Sequence, residues 1–306
     1  MSLKPALNLG SRASKLALLQ SALVRDVLMR AHGFTQDQIA FHPMTTSGDR
    51  ILDRSLIEAG GKGLFTKEIE EALLSEKIDI AVHSAKDMPA QIPRGLALVA
   101  CLPREDARDC LIGKKLIDLS KGAIFGTSSP RRAALIRRLR PDLKIVDFRG
   151  NVDTRLTKIT CGEAEATVLA LAGLKRLGME EAATEIFDLK EFPPAVGQGA
   201  IVLEIRENDQ RTRALLENIN DQSAFMALNA ERAYLNVLDG SCRTPIAGYA
   251  SVKNKVISFH GMLLRPDGSE SLETHKQGAA HEAEKLGREA GLELKSRAPA
   301  DFFKLC

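Results

Sequence analysis

The sequence predicts an α/β protein that ends in a smaller α+β domain. Three observations carry this. Short β-rich runs alternate with helix-patterned segments through the first two-thirds of the chain, as in sheets flanked by helices. The last third changes character: a long helical segment, then strand-like runs, then a polar, Ala-rich helix. The chain has 306 residues, enough for two or three domains, each with its own core.

Leu7-Asn8-Leu9 opens as a strand and runs into Gly10-Ser11-Arg12-Ala13-Ser14. An amphipathic helix follows, with Leu16, Leu19, Leu23, Val27 and Ala31 at helical spacing and Gly33 as its stop. Thr66 suits the N-cap of the next helix, and Glu68, Glu70 and Glu71 suit its positive end. Ile78 to Val82 is expected as a strand, and this β-α-β alternation implies mostly parallel pairing. A second unit follows: strand Ala123 to Phe125, helix Pro130 to Leu139, strand Lys144 to Phe148 and strand Ala166 to Leu171. The pattern breaks at Pro193 to Ala200 and resumes as a strand over Ile201 to Ile205. There the chain is expected to cross back to the first unit, leaving a ligand site between two α/β lobes at the carboxyl ends of their strands. Ser223 to Leu238 is a strong helix, Gly248–Val252 and Val256–Leu263 are strand-like, and His281 to Lys295 is helical.

Composition narrows the function. Hydrophobic residues make up 44% and charged residues 27%, which excludes a disordered chain. A net charge of +3 is too small for a general nucleic-acid binder, so any anion preference must come from local clustering. No apolar run approaches the roughly 20 residues of a membrane span. The first residues lack the apolar stretch of a secretory signal. The five cysteines, Cys101, Cys110, Cys161, Cys242 and Cys306, are odd in number and include no CxxC pair. Neither a disulfide framework nor a metal site is expected, and a reducing cytoplasm is the expected setting.

The most informative feature is where arginine falls. In Thr127-Ser128-Ser129-Pro130-Arg131-Arg132 a strand ends and a helix starts, with Ser129 as N-cap and Pro130 at the first helical position. Free N–H groups at such an end favour an anion, and guanidinium forks suit carboxylate or phosphate. Phe148-Arg149-Gly150-Asn151-Val152-Asp153-Thr154-Arg155 repeats the theme, and Gly10 to Ser14 supplies a third case. Any single Arg is more often a solvated surface charge. Three such turns suggest a cleft for a ligand with several negative groups.

Ala81-Val82-His83-Ser84-Ala85-Lys86-Asp87-Met88-Pro89 delivers His, Lys and Asp to one strand end. Asp87 suits ligand N–H groups or a cation forming beside it; a turn carboxylate paired with Lys86 accounts for it equally. His83 is expected to be a satisfied structural residue. Gly60-Gly61-Lys62-Gly63-Leu64-Phe65 is neither a Walker A loop nor a GxGxxG fingerprint, so it serves as a mobile lid, an anion contact or a plain connection. Asp239-Gly240-Ser241-Cys242-Arg243 sets a thiol in a Gly turn beside a cation, which favours the nucleophilic thiolate; a structural Cys is the alternative. Cys101, after the run Leu96–Ala100, is expected in the core.

Together these segments resemble the hydroxymethylbilane synthases, also called porphobilinogen deaminases. The matching runs include Gly10 to Ser14, Gly60 to Phe65, Ala81 to Pro89, Thr127 to Arg132, Arg149 to Arg155, Ala172 to Gly178, Pro194 to Ala200 and Gly240 to Pro245, in the family's order. The resemblance implies two lobes like those of periplasmic binding proteins, with mixed β-sheets flanked by helices, plus a smaller α+β C-terminal domain. The implied domains are residues 1–102 with 198–218, 103–197 and 219–306. It implies a monomeric cytoplasmic enzyme and a dipyrromethane cofactor attached covalently through Cys242. The implied reaction joins four porphobilinogen units head to tail, with loss of ammonia, to give linear hydroxymethylbilane.

Asp87 matches the family's catalytic residue. Lys86, Asp87, Thr127, Ser128, Ser129, Arg131, Arg132, Arg149 and Gly150 match cofactor contacts. Arg12, Ser14, Lys62, Phe65, Arg149, Arg155, Arg176 and Gln198 match substrate contacts, the loop or the hinge. The chain departs from relatives at Glu58, where Lys is usual, at Ser241, where Gly is common, and at Pro130, where an apolar residue is usual. The alternatives are a non-catalytic two-lobed anion-binding protein and the effector domain of a regulator; no helix-turn-helix signature supports the latter.

Overall fold

The computed structural model describes residues 6–50, 63–238 and 244–303. Glu58, Lys62, Ser241, Cys242 and Cys306 lie outside the described residues. The chain divides into two compact units, Met1–Arg104 with Ala200–Phe225, and Glu105–Gly199 with Met226–Cys306.

In chain order, β1 (Leu7–Arg12) leads into α1 (Lys15–His32). The Ser14 hydroxyl accepts the Ala17 N–H at 3.3 Å, and Gly33, at φ 72°, closes the helix on the Met29 carbonyl. β2 (Ile39–Met44), α2 (Ser47–Arg50), α3 (Lys67–Leu74), β3 (Ile80–Ser84) and β4 (Leu96–Cys101) follow. The chain then builds β5 (Asp109–Gly113), β6 (Ile124–Gly126), α4 (Pro130–Leu139), β7 (Lys144–Val146), α5 (Val152–Thr160), β8 (Ala166–Ala170), α6 (Leu171–Leu177) and β9 (Ala183–Ile186). It returns as β10 (Ile201–Arg206) and α7 (Gln210–Glu217). It continues through α8 (Gln222–Val237) to β11 (Ile246–Lys253), β12 (Val256–Leu264), β13 (Ser271–Ala279) and α9 (Ala283–Arg297).

The first unit holds a five-stranded sheet in the order β2-β1-β3-β10-β4. β1 is parallel to β2 and β3, whereas β10 is antiparallel to β3 and β4. The second unit holds β7-β6-β8-β5-β9, parallel around β6 and antiparallel around β5. Both sheets are therefore mixed, not mostly parallel. Alternation along the chain cannot show the direction of a strand that leaves or re-enters a unit, and β5 and β10 are those strands. The second unit also carries the antiparallel meander β11-β12-β13, covered by α9.

Each sheet has its own core. Leu9, Val24, Leu28, Ile80, Val82 and Leu203 pack in the first unit. Phe125, Leu135, Ile136 and Val168 pack in the second, where Met262 and Leu264 of β12 join the same cluster. Tyr234, Phe259, Leu286 and Leu294 hold the meander to α8 and α9. At ~2 kcal/mol for each large apolar side chain removed from water, these clusters dominate the stability.

One local expectation fails and another holds in position only. The buried face of α1 is Ala17, Gln20, Ser21, Val24 and Leu28, while Leu19 and Leu23 are exposed. The amide of Gln20 bonds the Ser84 hydroxyl at 2.9 Å, so a polar residue occupies the inner face and displaces the leucines. Thr66 does precede α3, but its side chain makes no capping bond. Cys101 is buried as expected.

Candidate functional site

In the first unit, β1 and β3 are parallel neighbours, so their carboxyl ends lie on one side of the sheet. β1 ends at Arg12, and Ser14 caps α1 just beyond. Arg12 is engaged by the protein itself. Its guanidinium bonds Asp49, lies 3.6 Å from Asp87 Oδ2, and covers the Phe65 ring at 4.4 Å from its centroid. Asp49 also accepts the N–H and hydroxyl of Thr46, and these bonds hold its carboxyl below the usual range although burial opposes them. A Cβ at Gly48 would collide with the Phe65 ring, so this close approach requires glycine. β3 runs into a single 3-10 turn, Ala85–Asp87, which brings Asp87 out at 30% exposure. Lys86 is exposed. His83 points inward, with Nε2 3.0 Å from Oε2 of the fully buried Glu204. It is a satisfied structural residue, as the sequence implied.

In the second unit β6 and β7 end together. Ser129 caps α4 through the Arg132 N–H at 3.4 Å, with Pro130 in the first turn. The Thr127 hydroxyl accepts the Ser129 N–H, and the Ser128 hydroxyl accepts the Phe148 N–H. The Ser128 bond ties the end of β6 to the chain that follows β7, and the Thr127 bond braces the turn into α4. Gly150 adopts φ 121°, a conformation L side chains rarely reach, and lets the chain turn into α5 behind the Asn151 cap.

Four arginines gather here. Arg131 and Arg132 are almost wholly buried. Each donates to Asp109 at 2.6 Å, Arg131 also to the Pro193 carbonyl and Arg132 to the Val168 carbonyl. Gln198 bonds the same Asp109 at 2.9 Å and the Ala107 carbonyl at 2.7 Å. Burial alone would raise the Asp109 carboxyl, but the two guanidiniums hold it well below the usual range. Arg149 lies 3.2 Å from Asp147 Oδ2. Burial, together with Arg132 and Arg149, pulls Arg155 down to about 10. The Nε atoms of Arg131, Arg132 and Arg155 are buried without a hydrogen-bond acceptor, and that of Arg149 has the Asp147 carboxylate 3.2 Å away but out of line. The cluster thus carries more positive charge and more N–H donors than its own carboxylates satisfy, which is the chemistry of an anion site. Arg176 bonds the Gly199 carbonyl at 2.7 Å and so fastens the turn that holds Gln198.

The structure thus groups Arg12, Ser14, Phe65, Lys86 and Asp87 on the first unit. It groups Thr127, Ser128, Ser129, Arg131, Arg132, Arg149, Gly150, Arg155, Arg176 and Gln198 on the second. Lys62 and Cys242 lie outside the described residues. Nothing in the local sequence marks Asp109 or Asp49: both sit in ordinary polar runs, and only long-range packing gives them partners. The one available signal is that Asp109 opens the apolar run Cys110-Leu111-Ile112.

Two family models match this chain. One, "Porphobilinogen deaminase, dipyromethane cofactor binding domain", matches residues 7–214, and the other, "Porphobilinogen deaminase, C-terminal domain", matches residues 225–296. A curated porphobilinogen deaminase from Nitrobacter hamburgensis is 52% identical over 300 residues, covering 97% of this chain and 95% of that protein. Among solved structures, the periplasmic VFT2 domain of Bordetella pertussis BvgS is similar at a TM-score of 0.42 and 14% identity, covering 70% of this chain and 86% of that one. A TRAP periplasmic solute binding protein from Desulfovibrio salexigens scores 0.41 at 10% identity, with 73% of each chain covered.

Proposed function

The chain belongs to the porphobilinogen deaminase family, and from that membership we propose how its own residues divide the work. The enzyme joins four porphobilinogen units head to tail on a dipyrromethane cofactor. It releases ammonia and yields the linear tetrapyrrole hydroxymethylbilane, an intermediate of haem and related tetrapyrrole synthesis. Catalysis sets aside the reading as a mere anion-binding protein.

The dipyrromethane carries acetate and propionate side chains, and its terminal pyrrole offers the carbon on which the product grows. The single observation that supports placing those carboxylates is the set of buried, acceptor-less Nε atoms on Arg131, Arg132 and Arg155, with Arg149 beside them. A guanidinium edge of this kind takes a carboxylate with charge-assisted hydrogen bonds. The hydroxyls of Thr127, Ser128 and Ser129 and the backbone at Gly150 hold cofactor side chains on the same rim. Asp109 sets the orientation of Arg131 and Arg132, and Gln198 holds Asp109 in turn.

Asp87 is the catalytic group. Its partly exposed carboxylate accepts pyrrole N–H bonds, opposes positive charge that develops on the ring, and moves a proton during each addition. Lys86 adds a cofactor contact. Arg12, Ser14, Lys62, Phe65, Arg149, Arg155, Arg176 and Gln198 serve the incoming substrate and the growing chain. The stacked Arg12 and Phe65 pair supports a role for Phe65 in fixing that guanidinium. Cys242 holds the cofactor by a thioether.

We also propose three domains, 1–102 with 198–218, 103–197 and 219–306. The separate C-terminal family match and the meander's own core support the third. A cytoplasmic monomer completes the proposal. Among the described residues no helix is long and apolar enough to cross a membrane.

The test is the intact mass of the purified protein beside Cys242→Ser. The expected result is an excess of two porphobilinogen units less two ammonia, present only with Cys242. A bare chain mass after incubation with porphobilinogen would overturn the attachment.

A further inference from the structure

The meander of the second unit carries a side-chain cluster that the reaction does not use. His260 of β12 and His275 of β13 are directly opposed in the antiparallel register, and Glu273 stands two residues before His275 on the same face. The imidazole rings stack at 4.3 Å with an interplanar angle of 12°. Glu273 Oε2 lies 3.4 Å from His260 Nε2 and 3.9 Å from His275 Nε2. One potential ligand atom from each of the three residues falls within 4.8 Å of the others.

We propose that His260, Glu273 and His275 bind a divalent transition-metal ion of the zinc class. Two imidazoles and one carboxylate form a known zinc donor set, and a three-ligand site leaves a fourth position for water. Bonds of ~2.0–2.1 Å in a tetrahedron place donor atoms ~3.3 Å apart, so the Glu273 oxygen is near its required distance from His260, while the exposed His275 ring must turn out of its stack and move closer to share the ion. His260 Nε2 is shut off from solvent and faces the Glu273 carboxylate at 3.4 Å. An ion between them would take the nitrogen lone pair and the carboxylate oxygen together. The other carboxylate oxygen, Oε1, lies 3.5 Å from Arg138 of α4, and the Glu273 carbonyl accepts from Arg297 at 2.8 Å. These contacts hold Glu273 on both sides, as outer partners of a metal ligand do. His275 is 66% exposed, which gives the ion an open path to the site.

The ion would tie β12 and β13 through Glu273 and Arg138 to α4, the helix that bears Arg131 and Arg132. The site needs no residue placed in the reaction, so its fate and that of the proposed mechanism are separable. No local spacing announces it, because His260 reaches the other two only through the strand pairing.

The test is titration of the holoenzyme with Co²⁺, read by visible absorption, and with Zn²⁺, read by calorimetry. One equivalent should bind, with the intense d–d bands of a low-coordinate site and no thiolate charge-transfer band. The exposed substitution His275→Ala and the near-isosteric Glu273→Gln should each weaken binding at least roughly tenfold. Zn²⁺ should raise the thermal midpoint of the parent protein but not of His275→Ala. Three results would overturn the proposal: no saturable binding, binding unchanged by His275→Ala, or a thiolate band assigning the ion to cysteine.

Discussion

In the first unit the buried carboxylate of Glu204 meets His83, with Glu70 close enough to feel its charge. In the second the buried carboxylate of Asp109 meets Arg131 and Arg132. Both acids are 0% exposed, Glu204 on β10 and Asp109 on β5. The partners differ in kind. Burial raises the carboxyl of the second acid, Glu70, whereas a guanidinium keeps its charge. The first interior therefore responds to protons through Glu70. The second keeps a fixed charge in excess.

Removing the acid on the arginine side should cost most. Asp109→Asn leaves two buried guanidiniums without their counter-charge, and breaking such a pair costs about 3–5 kcal/mol. Urea unfolding should show that loss. Intact mass on the folded fraction should show little dipyrromethane, because Arg131 and Arg132 no longer hold their orientation. Normal stability with full cofactor loading would remove Asp109 from the support role. On the other unit Asp87→Asn should act on chemistry alone. Turnover should fall at least ~100-fold while the cofactor mass is retained. Preserved turnover would break the assignment of catalysis to the first unit.

The two interiors should also differ in the sign of their pH dependence. Burial, and then Glu204, raise the folded-state pKa of Glu70 above its usual value. Its contribution is fully present below the ordinary carboxyl pKa and is lost as pH rises through the raised one. Asp109 is depressed, so its contribution is present above the ordinary value of about 4 and is lost only as pH falls below it. Hydrogen exchange, corrected for intrinsic rates, should show Lys67–Leu74 losing protection as pH rises from mildly acid. Asp109–Gly113 should weaken only in strong acid. Glu70→Gln should flatten the first trend, and identical trends in both units would erase the contrast. Glu204→Gln should cost a smaller 1–3 kcal/mol or so, by exchanging the carboxyl partner of His83 for an amide.

Local chemistry was legible where it lies within a few residues of chain. Pro130–Leu139 forms as the Ser129 cap and Pro130 imply, and the Gly150 turn sits where the pattern breaks. The arginines stood out because three similar turns repeat. What did not read through depends on distant partners. The buried face of α1 is set by the Gln20 bond to Ser84, not by leucine spacing. β13 alternates weakly, with Glu273, His275 and Gln277 among its residues, and becomes a strand by pairing with β12. Asp109 resembles the surface charges beside it, Asp106 and Arg108, until α4 and Gln198 converge on it.

Arg155 gives the finest test of the contrast, because stability and function should move in opposite directions there. Its charge is penalised by burial and by Arg132 and Arg149, and Asp147 offsets only part of this. Arg155→Leu keeps the aliphatic packing on α5 and removes the repulsion. The protein without cofactor should gain up to about 1 kcal/mol in urea unfolding. The same variant should load dipyrromethane more slowly and extend the chain poorly, because these like charges are the ones proposed to bind the carboxylates. Asp87→Asn, on the other unit, should show no such exchange of binding for stability. A loss of stability in Arg155→Leu would mean that the guanidinium has a protein partner after all. A gain with unaltered loading would mean that the excess charge serves no ligand. Only a gain joined to impaired loading fits a cluster held in tension for an anion.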